Sequence, residues 1–178
     1  MTERETISPA NRQAIFPAHR QAIFPANRQA IFPAHRQAIF PANRQAIFPA
    51  HRHALYEKHG YSAAIRSGDL LFVSGQVGSR EDGSPEPDFA AQVRLAFDNL
   101  GATLKAAGCG FDDLIDVTTF HTDPENQFAT VMAVKQAIFA QAPYPNWTAV
   151  GVTWLAGFDF EIKVIARIPE GNAPSACA

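Results

Sequence analysis

Few side chains in this 178-residue chain combine a reactive type with a setting that suits chemistry. The most suggestive is Glu161, in the run FEIKVIAR. There Phe160, Ile162, Val164 and Ala166 alternate with Glu161, Lys163, Ile165 and Arg167, the period-two pattern of a strand. The first set suits a helix-covered face, so Glu161 is expected on the opposite one. In a dry apolar cleft its pKa would rise and it could serve as general base for water. It could equally be a structural carboxylate paired with a cation from a neighbouring subunit. Ser74, in SGQ, has no sequence-evident His and Asp partners, and SGQ is not a nucleophile-elbow motif. His121, ending a strand in FHTD, suits a structural or capping role. His51, His53 and His59 lack a carboxylate or cysteine to complete a tetrahedral set, so no metal site is expected. Cys109 and Cys177 have neither metal nor redox spacing and read as reduced thiols. No glycine-rich phosphate loop is present.

The elements that must position these groups follow from pattern. Tyr61–Ile65 and Leu70–Ser74 are β-prone runs joined through Ser67-Gly68. After the loop Gly78–Pro87, residues Phe89, Val93, Phe97, Leu100, Leu104 and Ala107 form one apolar helix face, ended by Gly108 as a C′ residue. Ile115–Thr122 reads as a strand. Asp123-Pro124 reads as N-cap and N1 of a second helix carrying Phe128, Val131, Ile138 and Phe139 on one side. Strands at Trp147–Leu155 and Phe160–Ile168 complete a ββ-α-β-α-ββ order, an α+β fold with both helices on one face of the sheet. In the first of these two strands, Val150, Val152 and Trp154 are expected on the helix side. That leaves Trp147, Ala149, Gly151 and Thr153 with Glu161, on a face that an oligomer interface would cover.

Upstream lies an octapeptide repeat. Its units begin at Pro9, Pro17, Pro25, Pro33, Pro41 and Pro49, alternating PANRQAIF with PAHRQAIF and drifting to PAHRHALY. The period is too short for a solenoid, and proline recurs before any helix exceeds two turns. Residues 1–46 are therefore expected to form a flexible arm, 47–170 the folded domain and 171–178 a disordered tail. A basic binding arm is the functional alternative, since Arg12, Arg20, Arg28, Arg36, Arg44 and Arg52 recur without nearby acids. Net charge is −2, but residues 1–56 carry seven arginines against Glu3 and Glu5, whereas 57–178 carry eight Lys/Arg against fifteen acids. An acidic domain is a poor nucleic-acid partner. The N-terminal MTERETISPANRQ has no apolar h-region and no run is long enough to span a membrane, so a cytoplasmic protein without membrane association is expected.

YSAAIRSGDLLFVSGQVG (Tyr61–Gly78), FAAQVRLAFDNLGATLKAAG (Phe89–Gly108), DLIDVTTFHTD (Asp113–Asp123), PYPNWTAVGVTWL and FEIKVIARIP together resemble the Rid/YjgF family of reactive-intermediate deaminases, most of all its YjgH-like subgroup. The resemblance spans residues 61–169. It implies a chorismate-mutase-like fold, a homotrimer, and small-molecule clefts between subunits. It also implies hydrolysis of enamines and imines to keto acids and ammonia, with no metal or organic cofactor. Tyr61 falls at the family's cleft tyrosine, Ser74 at its cleft serine, and Glu161 at the carboxylate that positions water. Three positions depart. Trp147 stands where the family's arginine binds the substrate carboxylate, Met132 where many members have asparagine, and Ala149 where they have cysteine.

Guanidinium offers a bidentate, charged fork and indole a single neutral N–H. Losing such a buried pair costs about 2–5 kcal/mol. The expectation is thus a homotrimer binding a small metabolite in a cleft made apolar by Trp147, Met132 and Ala149, any hydrolysis using Glu161 and water. The alternatives are a standard 2-iminopropanoate/2-iminobutanoate deaminase and a non-catalytic interaction protein; a ribonuclease-type translation inhibitor fits less well.

Overall fold

The computed structural model describes residues 44–51 and 54–170. Its elements are β1 (Arg44–Ile47), α1 (Leu55–His59), β2 (Ala64–Ser67), β3 (Leu70–Val77), α2 (Phe89–Ala106), β4 (Leu114–His121), α3 (Pro124–Ile138), β5 (Asn146–Gly151) and β6 (Phe160–Arg167). They build one six-stranded sheet in the order β1-β2-β3-β6-β4-β5. Every neighbouring pair is antiparallel except β4 with β5. The expected ββ-α-β-α-ββ succession runs from β2 to β6, and the fold is α+β.

Local chemistry explains most boundaries. The side chain of Asp88 accepts a hydrogen bond from the Ala91 N–H and caps α2. At its other end Gly108 adopts φ +73, and the amides of Gly108 and Cys109 return to the carbonyls of Lys105 and Leu104. These are the paired bonds of a Schellman ending, which needs a left-handed residue at that point. Pro124 opens α3 as expected. Asp123 does not cap it, however; its carboxylate accepts from Asn126 Nδ2 at 2.7 Å instead.

The helix-side core joins Val93, Ala96, Phe97, Leu100 and Leu104 of α2 to Leu71 and Val73 of β3, Val117 of β4, and Phe160, Ile162, Val164 and Ala166 of β6. Alternate β6 residues are thus buried as their pattern requires. Phe128 is the exception on α3: expected inward, it is 48% exposed. The second-last strand is also shorter than expected. It ends at Gly151, and Trp154 beyond it is 75% exposed.

The sheet begins earlier than the anticipated boundary at residue 47. Arg44–Ile47, the RQAI of the fifth octapeptide, pairs with β2 in the register Arg44↔Ser67 to Ile47↔Ala64. Taken alone, RQAI is rich in helix formers; the open edge of β2 supplies backbone partners that override so weak a preference. The end of the sixth unit, Leu55 and Tyr56, instead lies in α1, where Tyr56 is 2% exposed. The remainder of the expected arm, and the expected tail at 171–178, lie outside the described residues.

Candidate functional site

The SGQ segment of β3 is a bulge. Val73 pairs with Val164 and Gln76 with Ile162, so Ser74 and Gly75 together face the single position of Lys163. The extra residue reverses the strand's alternation and turns Gln76 into the core, where it is fully buried. Its amide is satisfied there: Oε1 accepts from the Tyr56 hydroxyl at 2.9 Å and Nε2 donates to the Ser74 carbonyl at 3.0 Å. Ser74 Oγ donates to the Ser62 carbonyl at 2.7 Å. Its proton is thus committed to backbone, and what Ser74 can offer a ligand is an acceptor lone pair.

Beside the bulge lies a recess of about 480 Å³ whose lining includes Lys58, His59, Tyr61, Gly75, Trp154 and Glu161. Glu161 lies against Gly75 so closely that a Cβ on that residue would collide with the carboxylate. Gly75 has no positive φ, so space and not backbone geometry calls for glycine here. Burial raises the Glu161 pKa, and Lys163 offsets part of the rise. The described residues give this carboxylate no ion-pair partner. Tyr61, in edge contact with Tyr56 at 5.2 Å between centroids, is pushed up to about 12 by burial, by Tyr56 and by the negative charge of Glu161. It therefore remains a neutral hydrogen-bond donor at physiological pH.

Two of the anticipated residues thus meet in this recess, Tyr61 and Glu161, with Ser74 on the adjoining bulge. The other three do not. Trp147 was expected on the face of Glu161, but its strand has the opposite phase. β5 pairs with β4 through Val117↔Trp147 and Thr119↔Ala149, and Val117 and Thr119 are buried on the helix side. Trp147 accordingly packs edge-on to Phe139 at 5.7 Å, lies 4.0 Å beneath Lys135 Nζ, and donates from Nε1 to Thr119 Oγ1 at 3.2 Å. It does not line the recess that holds Glu161. The valines misled because β5 is an edge strand. The indole supplies the large apolar surface under the end of α3, while Val150 opposes Phe120 on the other face. Ala149 is exposed on β5, and Met132 is half-buried on α3; neither lines the recess.

His121, for which a structural or capping role was expected, lies in the core and outside the recess. It is fully buried, with Nε2 at 2.9 Å from Thr119 Oγ1 and its ring in edge contact with Phe160. Burial lowers its pKa. Among the described residues no three His, Cys, Asp or Glu side chains converge as a metal site would require. Sequence reasoning missed Gly75, Lys58, His59 and Trp154. The glycine inside SGQ was a legible signal for a close backbone approach. Lys58 and His59 sat just after the repeat, ahead of Tyr61–Ile65, where no element was expected.

Known proteins match this architecture. The profile of the family described as Endoribonuclease L-PSP matches residues 51–168. Over 110 residues the chain is 84% identical to the RutC family protein YjgH of Escherichia coli (strain K12), covering 62% of this chain and 84% of that one. It is 34% identical over 110 residues to the 2-iminobutanoate/2-iminopropanoate deaminase of the same organism, covering 60% and 85% respectively. The solved structure of protein YJGH superposes with a TM-score of 0.70 at 80% identity, over 72% of this chain and 98% of that one. No helix among the described residues is long and apolar enough to cross a membrane. With this fold, these motifs and these relatives, the chain belongs to the Rid/YjgF family, whose profile carries the Endoribonuclease L-PSP description.

Proposed function

We propose that the protein is a homotrimer that binds a small metabolite in clefts between subunits and hydrolyses a C=N bond there with a Glu161-activated water. The observation that carries this reading is the buried Glu161 carboxylate, unpaired among the described residues and facing the neutral phenol of Tyr61. Burial raises its affinity for a proton and so suits it to take one from water. Water oxygen would bond to the imine carbon as its proton passes to Glu161. That proton would then go to the nitrogen to give a carbinolamine; Glu161 would next take the hydroxyl proton and pass it to the nitrogen, so that the C–N bond breaks, ammonia leaves and the carbonyl forms. Tyr61 would donate to the substrate.

The apolar side chains left open on the face away from the helices support assembly. Phe72 is 43% exposed there, near half-buried Ile65 and Ile165. Association of copies over this face would shut the recess from water and bring another protomer's groups to its mouth. Trp147, Ala149 and Met132 would enter such a cleft from the β5–α3 end of the neighbouring copy.

The second reading, a standard 2-iminobutanoate/2-iminopropanoate deaminase, draws on the relative of that name. Against it stands Trp147 at the aligned arginine position, packed under α3. The test couples the protein at sub-stoichiometric amounts to an enzyme that releases 2-aminoacrylate and follows ammonia. On our reading acceleration is weak and is abolished by Glu161→Gln. Strong acceleration favours the standard deaminase, and activity that survives Glu161→Gln removes Glu161 from the chemistry.

A further inference from the structure

The aligned arginine is absent, yet the recess does not lack positive charge. α1 ends in Lys58 and His59, and both line the recess that holds Tyr61 and Glu161. Neither makes an ion pair with another described residue. The charge that bears on Glu161 is that of Lys163, two residues along the same strand. The recess thus holds basic side chains as well as a carboxylate, with a volume of about 480 Å³ that suits a small molecule. Its wall also includes the apolar side chains of Leu55, Trp154 and Phe158. Trp154 is 75% exposed and free to cover a ring laid on it.

We infer that Lys58 and His59 are the anion-recognising residues of this site, selecting a ligand with one anionic group and a ring-sized apolar body. The inference rests on the reading of the recess as a ligand site. It moves the source of charge from the strand that carries Trp147 to the helix that begins at the end of the last octapeptide. An ammonium is a point charge on a flexible stem, so it attracts an anion without dictating its orientation as a guanidinium fork does. The apolar wall must then orient the ligand.

The experiment uses benzoate and benzamide, isosteres that differ in charge, titrated into the full chain at neutral pH and followed by backbone amide shifts. Benzoate should perturb Tyr61, Gly75 and Glu161 and bind about tenfold more tightly than benzamide, as one charge-assisted contact implies. Lys58→Met with His59→Gln should bring the ratio near one and leave benzamide affinity unchanged; Lys58→Arg should keep it. A ratio that survives the double substitution, or equal binding of the two probes to the unaltered protein, overturns the inference and leaves the ligand site standing. If neither probe perturbs the recess, the reading of the recess as a ligand site fails with it.

Discussion

Replacing Gly75 by alanine tests the closest contact in the site. Its new Cβ would meet Oε1, Cδ and Cγ of Glu161, all belonging to the far part of one flexible side chain. Overpacking of this kind costs about 1–3 kcal/mol. Because the obstacle can swing aside, the lower half of that range applies. Gly75 does not occupy a positive φ, so alanine adds no backbone strain. It should instead recover about 0.4–1 kcal/mol by restricting the unfolded chain. The net expectation is a loss of about 1 kcal/mol with Glu161 in place. In a Glu161→Ala background the same change should be neutral or slightly stabilising. Urea denaturation of the four proteins of this cycle reads the coupling, expected at about 1–2 kcal/mol. Additivity within about 0.5 kcal/mol would show that Glu161 does not rest on Gly75, and the account of SGQ as the floor beneath the carboxylate would be wrong.

Two further outcomes follow from the side chains under α3. Trp147→Arg should lower stability by about 1–3 kcal/mol in urea, since it removes the contacts with Phe139 and Thr119 and sets a second cation beside Lys135. An unchanged midpoint would place Trp147 elsewhere. His121 is held neutral by burial, below its ordinary 6.5. The unfolded chain therefore binds the extra proton first, and stability should fall as pH drops below about 6.5. Relative to His121→Gln, the wild type should lose melting temperature between pH 7.5 and 5.5; a constant difference between the two would refute the assignment.

Much of this protein is decided by short-range rules that its sequence displays. The α2 face from Phe89 to Leu104, its ending at Gly108, the start of α3 at Pro124 and the alternation of Phe160 to Arg167 each rest on local periodicity or a capping residue. Glu161 was placed on its face because a central strand, with one side covered by helices, enforces a strict alternation. Its meeting with Tyr61 was legible only through family resemblance.

Where burial is partial, that logic weakens. On the edge strand β5 the valines and Trp147 compete for the helix side, and only the parallel pairing with β4 settles which residue faces Val117. The bulge at Ser74-Gly75 is likewise invisible to alternation, because it depends on what β6 presents opposite and on the room Glu161 requires. The octapeptide makes the point most directly. One repeated pattern becomes the strand Arg44–Ile47 in its fifth copy and enters the helix Leu55–His59 in its sixth. Composition and period set which segments can fold, by fixing what each can bury. Which partner satisfies a marginal segment's backbone, and hence that Lys58 and His59 line the same recess as Glu161, is a long-range choice made by the assembled sheet.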